Sequence, residues 1–287
     1  MLAELCTGAF LTALAPLCAG AAAVVTAGRR RCAAPDRTLL FHALSTQRLP
    51  HVSWVHRDTF ARFCARLAGS GLPVSTVSAL RGRTGSSGMP VCLCFDDGFE
   101  DFHRYAMPAL HASMVKATVF PVTGFIGGTG GGDAFAPRRR MDAAQLREIS
   151  SLGYEIGSHT HSHPDLSRLP DRLLDDELRR SRAVIEELTG AACTAVSFPY
   201  GSCTPRVWEH ARTAGYTTGV VYGGGPAAPG LHPAAGAYAF DTVDDLWARI
   251  TGGTAPSIAV ARSRVMPHFA RGTPLWKFRA HYLVPGR

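Results

Sequence analysis

The sequence predicts an α/β fold with a mostly parallel sheet, closed as a barrel or doubly wound. Short apolar runs with strand character alternate with amphipathic helical segments, which is the pattern of repeated β–α units. Its three most distinctive polar motifs each follow the end of a strand-like run, where such folds place their chemistry. At 287 residues the chain can bury one good core, and α/β barrels reach this size as one domain.

The elements follow in order. Leu39 to His42 reads as a first strand. Asp58 is expected to cap a helix whose face carries Phe60, Phe63, Cys64 and Leu67, with Gly69 ending it. A loop over 82–88 leads to the buried strand Val91-Cys92-Leu93-Cys94-Phe95. A helix over 102–114, interrupted near Pro108, precedes a strand over Ala117 to Phe120. Residues 124–132 hold six glycines and no phosphate-binding lysine, so they read as a flexible loop rather than a nucleotide site. Asp142 and Gln145 form a capping box for a helix closed by Gly153, and a strand over Tyr154 to Gly157 comes next. Leu174, Leu178, Ile185 and Leu188 recur at helical spacing over 171–188, and Gly190 stops that helix. Thr204-Pro205 opens a helix ending at Gly215, followed by a strand over Thr217 to Tyr222, a Gly/Pro/Ala loop, and a helix over 244–250.

The chemistry concentrates in two motifs. Asp96-Asp97-Gly98 puts two carboxylates at a strand end, an arrangement that is costly unless a cation offsets it, because close like charges disfavour joint ionisation. An Asp-Asp-Gly turn is the plain alternative. The second motif, Gly157-Ser158-His159-Thr160-His161-Ser162-His163, tips the balance toward a metal. His159 and His163 are four apart, and on a helical turn they would share a face. Two neutral imidazoles with one carboxylate make an open three-ligand site for a divalent ion. His161 falls on another side and is expected outside the ligand set.

These residues resemble the polysaccharide deacetylase family (carbohydrate esterase family four). Its Thr/Ser-Phe-Asp-Asp-Gly motif appears as Cys94-Phe95-Asp96-Asp97-Gly98, its His motif as His159-Thr160 through His163, and its Pro-Tyr-Gly ending as Pro199-Tyr200-Gly201. The arginine usual before that proline is absent, since the neighbourhood reads Val196-Ser197-Phe198; this form resembles the poly-N-acetylglucosamine deacetylase branch. In that branch the catalytic acid histidine lies near the N-terminus, a placement that Leu39-Leu40-Phe41-His42 fits; its plain alternative is an ordinary strand-end histidine. The family's Asp/Arg motif has no clear counterpart: Asp241, Asp244 and Asp245 are candidates, with no arginine in the expected place.

The resemblance implies an irregular (β/α) barrel of about seven units, with residues 38–252 as the catalytic domain. It leaves 1–37 as an apolar segment and basic linker and 253–287 as a basic extension. It also implies hydrolysis of an N-acetyl group on an amino-sugar glycan. Asp97, His159 and His163 would hold one divalent metal, zinc being the expected ion with cobalt or nickel as alternatives. Asp96 would be the base, His42 the acid, and Pro199 and Tyr200 would line the substrate, with the Tyr200 N–H facing the oxyanion. Another non-peptide amide hydrolase, or a noncatalytic glycan-binding relative, would be the competing readings.

Composition bounds the partners. The net charge of +8 is unevenly spread: from Leu246 onward there is no acid, while Arg249, Arg262, Arg264, Arg271, Lys277, Arg279 and Arg287 occur. That tract is either solvated or meets an anionic surface, and no nucleic-acid motif accompanies it, so nucleic acid is not an expected partner. Residues 5–27 are apolar, with Glu4 before them and Arg29-Arg30-Arg31 after. A membrane span there would leave the catalytic part in the cytoplasm; a surface helix, a misplaced start or an export signal cleaved near Ala21 to Ala23 are the alternatives. The eight cysteines show no Cys-x-x-Cys spacing and read as scattered thiols, leaning toward a reducing compartment; Cys193 and Cys203 could pair only if the chain folds back.

Overall fold

The computed structural model describes residues 29–31, 37–47, 52–83, 88–129, 138–225, 227–256 and 266. The apolar 5–27 segment and nearly all of the basic C-terminal tract lie outside them. Among the described residues no helix is long and apolar enough to cross a membrane.

The strands are β1 (Arg29–Arg31), β2 (Thr38–Phe41), β3 (Ala43–Ser45), β4 (Trp54–His56), β5 (Cys92–Asp97), β6 (Thr118–Pro121), β7 (Glu155–Ile156), β8 (Ala195–Ser197), β9 (Thr218–Tyr222), β10 (Leu231–Gly236) and β11 (Thr254–Pro256). The helices are α1 (Arg57–Ala68), α2 (Met107–Ala112), α3 (Ala143–Ser151), α4 (Asp171–Thr189), α5 (Pro205–Thr213) and α6 (Val243–Thr251). Seven strands form one parallel sheet in the order β7-β6-β5-β2-β10-β9-β8. Its two edges meet at Ser158, whose N–H donates to the Ala195 carbonyl at 2.9 Å and whose carbonyl accepts from the Ser197 N–H at 2.8 Å. The sheet is thus a nearly closed barrel, as the alternation of elements predicts.

Burial explains the strand sequences. Along β5 the residues alternate between two apolar environments. Cys92 and Cys94 face the barrel interior with Leu40, Phe120, Val220 and Ala234, while Leu93 and Phe95 face the helix layer. Phe95 is the hub of that outer layer. It stacks on Phe41 at 5.2 Å and meets Phe60 and Phe102 edge-on at 5.5 and 4.9 Å. Each such aromatic pair adds about 0.5–1.5 kcal/mol beyond area burial, so the residue preceding Asp96 is firmly fixed. Cys64, Cys92, Cys94, Cys193 and Cys203 are all free thiols, so the Cys193–Cys203 pairing does not form.

Several local expectations change. The α1 N-cap is His56, whose ring nitrogen accepts from the Asp58 N–H, so Asp58 sits in the first turn instead. The helix over 102–114 begins as a π-turn at Phe102–Ala106, and Pro108 falls at the first positions of α2, where its missing N–H costs nothing. The Gly/Pro/Ala loop contains β10, which pairs with both β9 and β2 and fills the gap between them. Arg29–Arg31 pairs antiparallel with Thr254–Pro256, joining the two flanking segments. Arg249 does not belong to a solvated basic tract: it is buried, and it donates to both Asp241 oxygens and to the Gly236 carbonyl at 2.9 Å.

Candidate active site

Asp96 shares the barrel-facing side of β5 with Cys92 and Cys94 and stands at the barrel mouth. Strand alternation would send Asp97 outward, but its φ of 71° puts it in the left-handed region and turns its carboxylate back beside its neighbour's. Gly98 makes this turn possible. Its φ is 67°, and a Cβ there would lie 2.8 Å from the Pro121 side chain, so no other residue fits.

The two histidines converge without a helical turn. Residues 157–163 form an irregular loop after β7, with φ of 67° at Thr160 and 62° at His163. Thr160 Oγ1 accepts from the His163 N–H at 3.1 Å. Glu177 of α4 holds the loop from below, accepting from the N–H groups of His161 and Ser162 at 2.9 and 2.8 Å. His163 Nε2 then lies 3.5 Å from Asp97 Oδ1, and His159 Nε2 lies 3.9 Å from the same oxygen. His161 turns away to Thr123 Oγ1, 2.9 Å from its Nδ1, and lies outside the ligand set as expected.

Each ring is oriented by its other nitrogen. His159 Nδ1 donates to the Ser197 carbonyl at 2.8 Å, which leaves a lone pair on Nε2. His163 Nδ1 is 3.1 Å from the Tyr200 hydroxyl, and the tyrosine ring packs edge-on against it at 4.7 Å. Asp97, His159 and His163 offer ligand atoms within 4.8 Å of one another, and buried Asp97 Oδ1 has no hydrogen-bond donor among the described residues. Two lone pairs and an unbonded carboxylate oxygen aimed at one point fit a divalent metal.

Electrostatics separate the two acids. Burial, reinforced by the Asp97 charge, pushes the Asp96 carboxyl well above its ordinary range, against a hydrogen bond donated by Ser197 Oγ to Oδ2 at 3.0 Å. Burial would raise Asp97 too, but His163, Arg140, His159 and His42, the rings protonated at the low pH where Asp97 titrates, hold it well below the usual carboxylate range. Burial lowers His159 to about 4, which keeps the ring neutral and able to bind a metal. His42, half-buried just past β2, is near enough for its charge to act on both Asp97 and His159. Pro199 is buried, and Tyr200 takes a left-handed φ of 60° in the turn after β8.

Three contributors were not visible in the sequence. Arg140, buried over the Phe99 ring at 3.7 Å, donates to the Asp97 carbonyl at 3.0 Å and stands 3.8 Å from its carboxylate. Ser197 touches both Asp96 and His159, and Glu177 braces the histidine loop. The acids considered as Asp/Arg-motif candidates serve elsewhere. Asp241 pairs with Arg249, Asp244 with Arg66 at 2.6 Å, and Asp245 closes the capping box of α6. The arginine of this site comes from 43 residues beyond Asp97 instead.

A nearly closed parallel barrel with an Asp/His/His cluster and a second buried acid at its mouth makes this an α/β barrel with a candidate metal centre. Residues 84–219 match the family described as Polysaccharide deacetylase. The chain is 24% identical over 191 residues to YxkH of Bacillus subtilis (strain 168), a polysaccharide deacetylase by name, with 63% of this chain and 62% of that protein aligned. It is 33% identical over 127 residues to the chitooligosaccharide deacetylase of Bradyrhizobium sp. (strain ANU 289), covering 44% of this chain and 52% of that one. The match thus spans less than two thirds of either relative. The Streptococcus pyogenes deacetylase PplD, solved with acetate, shares the fold: its TM-score is 0.64 at 20% identity, over 78% of this chain and 99% of that one.

Proposed function

We propose that this protein is a metal-dependent N-deacetylase that removes acetyl groups from an amino-sugar glycan. The observation that carries the reading is the pairing of an Asp97/His159/His163 cluster with a buried acid, Asp96, that is left outside the ligand set. A pure binding site has no use for that second acid. The family match over residues 84–219 and the name of the chitooligosaccharide-acting relative support the substrate class.

A divalent ion held by Asp97, His159 and His163, with zinc the expected one, would polarise the acetamide carbonyl and the attacking water, and its charge would draw Asp96 toward the ionised form. Asp96 then takes a proton from the water as general base. Ser197 keeps the Asp96 carboxylate oriented through its 3.0 Å hydrogen bond. The Tyr200 N–H faces the oxygen on which negative charge develops. His42, just past the end of β2, the strand paired with β5, gives a proton to the departing amine as the C–N bond breaks, and acetate is released. Arg140 holds Asp97 ionised and in place from behind.

The test is acetate release across a panel of N-acetylated sugars and simple amides, before and after chelation and with zinc, cobalt or nickel restored. Release from N-acetylglucosamine oligomers that stops on chelation and returns with metal is the expected result. Turnover of a cyclic imide in place of any sugar would reassign the chemistry, and oligomer binding without turnover would point to a noncatalytic relative.

A further inference from the structure

The segment that delivers His163 and the turn that carries Tyr200 are joined at two points beside the candidate catalytic cluster. The Tyr200 hydroxyl lies 3.1 Å from His163 Nδ1, and two residues further along each segment Ser202 Oγ donates to Asp165 Oδ1 at 2.5 Å. Both contacts keep one offset of 37 residues, so the two segments run in register. Asp165 is a prepared acceptor. The same oxygen accepts from the Ser167 N–H and Oγ at 3.2 and 2.7 Å, and Arg168 Nε lies 3.1 Å from Oδ2. The Asp165 side chain is only 12% exposed, so water competes little for the bond.

The turn needs such a hold. Tyr200 has a left-handed φ of 60°, which a non-glycine residue keeps only where its surroundings over-determine it. Within the turn, the Gly201 N–H donates to the Phe198 carbonyl and the Ser202 N–H to the Pro199 carbonyl, both at 3.0 Å. These bonds fix the shape of the turn but not its tilt toward the histidine segment. On one side Gly201 lies against the end of β9, where a Cβ would come within 2.4 Å of the Tyr222 carbonyl oxygen. On the other side a single hydrogen bond to His163 would act as a pivot, and the bond from Ser202 to Asp165 stops the rotation. Arg206 of α5 joins the segments again at the Leu169 carbonyl, at 2.8 Å and the same offset, but farther from the reacting groups along both segments.

We propose that Asp165 and Ser202 are positioning residues whose hydrogen bond sets the tilt of the Tyr200 turn and aims the Tyr200 N–H at the acetamide oxygen. This rests on the deacetylase reading, in which that N–H meets the developing oxyanion. A poorly aimed donor loses most in the transition state, where the charge is greatest, so the bond should act on kcat more than on KM. Metal affinity should be spared, because His163 keeps its contacts with the Tyr200 hydroxyl and with Thr160 Oγ1.

Ser202→Ala removes the donor, whereas Ser202→Thr keeps it, and the added methyl has room because Ser202 borders an open cavity. The full chain and both variants are compared in kcat and KM for acetate release from an N-acetylglucosamine oligomer and in zinc affinity of the metal-free protein. Calorimetry adds their affinity for acetate when metal-loaded, since an acetate oxygen would meet the same N–H. Ser202→Ala should lower kcat about 10-fold, less than the roughly 10²–10³-fold cost of deleting an oxyanion donor outright. Acetate affinity should fall about 3-fold, the size of one net hydrogen bond. KM and zinc affinity should hold, and Ser202→Thr should restore both losses. Turnover that Ser202→Ala leaves unchanged, or a loss that Ser202→Thr does not restore, overturns the proposal and leaves the deacetylase reading standing. A fall in zinc affinity matching the fall in kcat also overturns it, because the bond would then serve His163 instead. If no acetamide is turned over, the deacetylase reading falls and the acetate affinities decide alone. Weakening by Ser202→Ala that Ser202→Thr reverses keeps the aim of the Tyr200 N–H, and equal affinities end it.

Discussion

The Tyr200 hydroxyl lies 3.1 Å from His163 Nδ1 while the two rings pack edge-on, and both residues hold left-handed backbones, with φ of 60° and 62°. Two residues that each pay backbone strain to meet one another indicate that His163 is aimed from outside its own loop. With Nε2 directed at Asp97, Nδ1–H donates to the tyrosine oxygen, and that bond fixes the tautomer needed for ligation. Tyr200→Phe keeps the ring and removes only the acceptor. It should weaken zinc or cobalt binding to the metal-free protein by about 10–100-fold, the usual cost of losing such an orienting partner. An equal dissociation constant in wild type and variant would show that packing alone positions His163.

Asp96 and Asp97 are neighbours with opposite electrostatic surroundings, and their variants should fail differently. Asp97→Ala removes a ligand, so metal binding and turnover should vanish together. Asp96→Asn preserves shape and the contact with Ser197 while removing the base, so metal binding should persist as turnover drops about 10²–10⁴-fold. Parallel metal titration and acetate release separate the two. Retained deacetylation in Asp96→Asn would refute the base assignment.

The legible parts of the site were those whose residue types carry their own chemistry. Adjacent acids at a strand end and histidines four apart are improbable without a cation, and both motifs stand at barrel strand ends as read. The route by which they meet was not legible: helical spacing pointed to one shared face, whereas the chain uses positive φ at Asp97, Thr160 and His163. Arg140 lay hidden because its partner is distant in sequence and nothing in Arg138-Arg139-Arg140 marks which one is buried. For the fold, β10 escaped because Leu-His-Pro-Ala-Ala-Gly has weak strand propensity. The sheet gap between β9 and β2, rather than the local sequence, makes it a strand.

That strand depends on the Arg249–Asp241 pair. Arg249 of α6 reaches both oxygens of buried Asp241 and also the Gly236 carbonyl at the end of β10, so one guanidinium ties helix, loop and strand together. Arg249→Ala strands a buried carboxylate and should cost about 3–5 kcal/mol by urea denaturation. Replacing both partners with apolar residues (Arg249→Met with Asp241→Leu) should recover much of that loss, because the unpaired charge goes too. A double variant no more stable than Arg249→Ala would locate the cost in the lost Gly236 contact.

The acid limb of the stability curve should report on His232. Its side chain shares the inward face of β10 with Ala234, is 6% exposed, and has no hydrogen-bond partner for Nε2 among the described residues. Burial therefore lowers its pKa below the ordinary 6.5. Between that lowered value and 6.5 the unfolded chain holds a proton that the folded one does not, so stability is full above 6.5 and declines as pH falls through this window. His159, also lowered, adds to the same decline. Substituting only His232 isolates its share. His232→Leu should lose less stability than wild type between pH 7.5 and 5, read as a smaller fall in its urea midpoint over that range. Parallel pH profiles would mean that His232 is protonated to the same extent folded and unfolded, and that water reaches it inside the barrel.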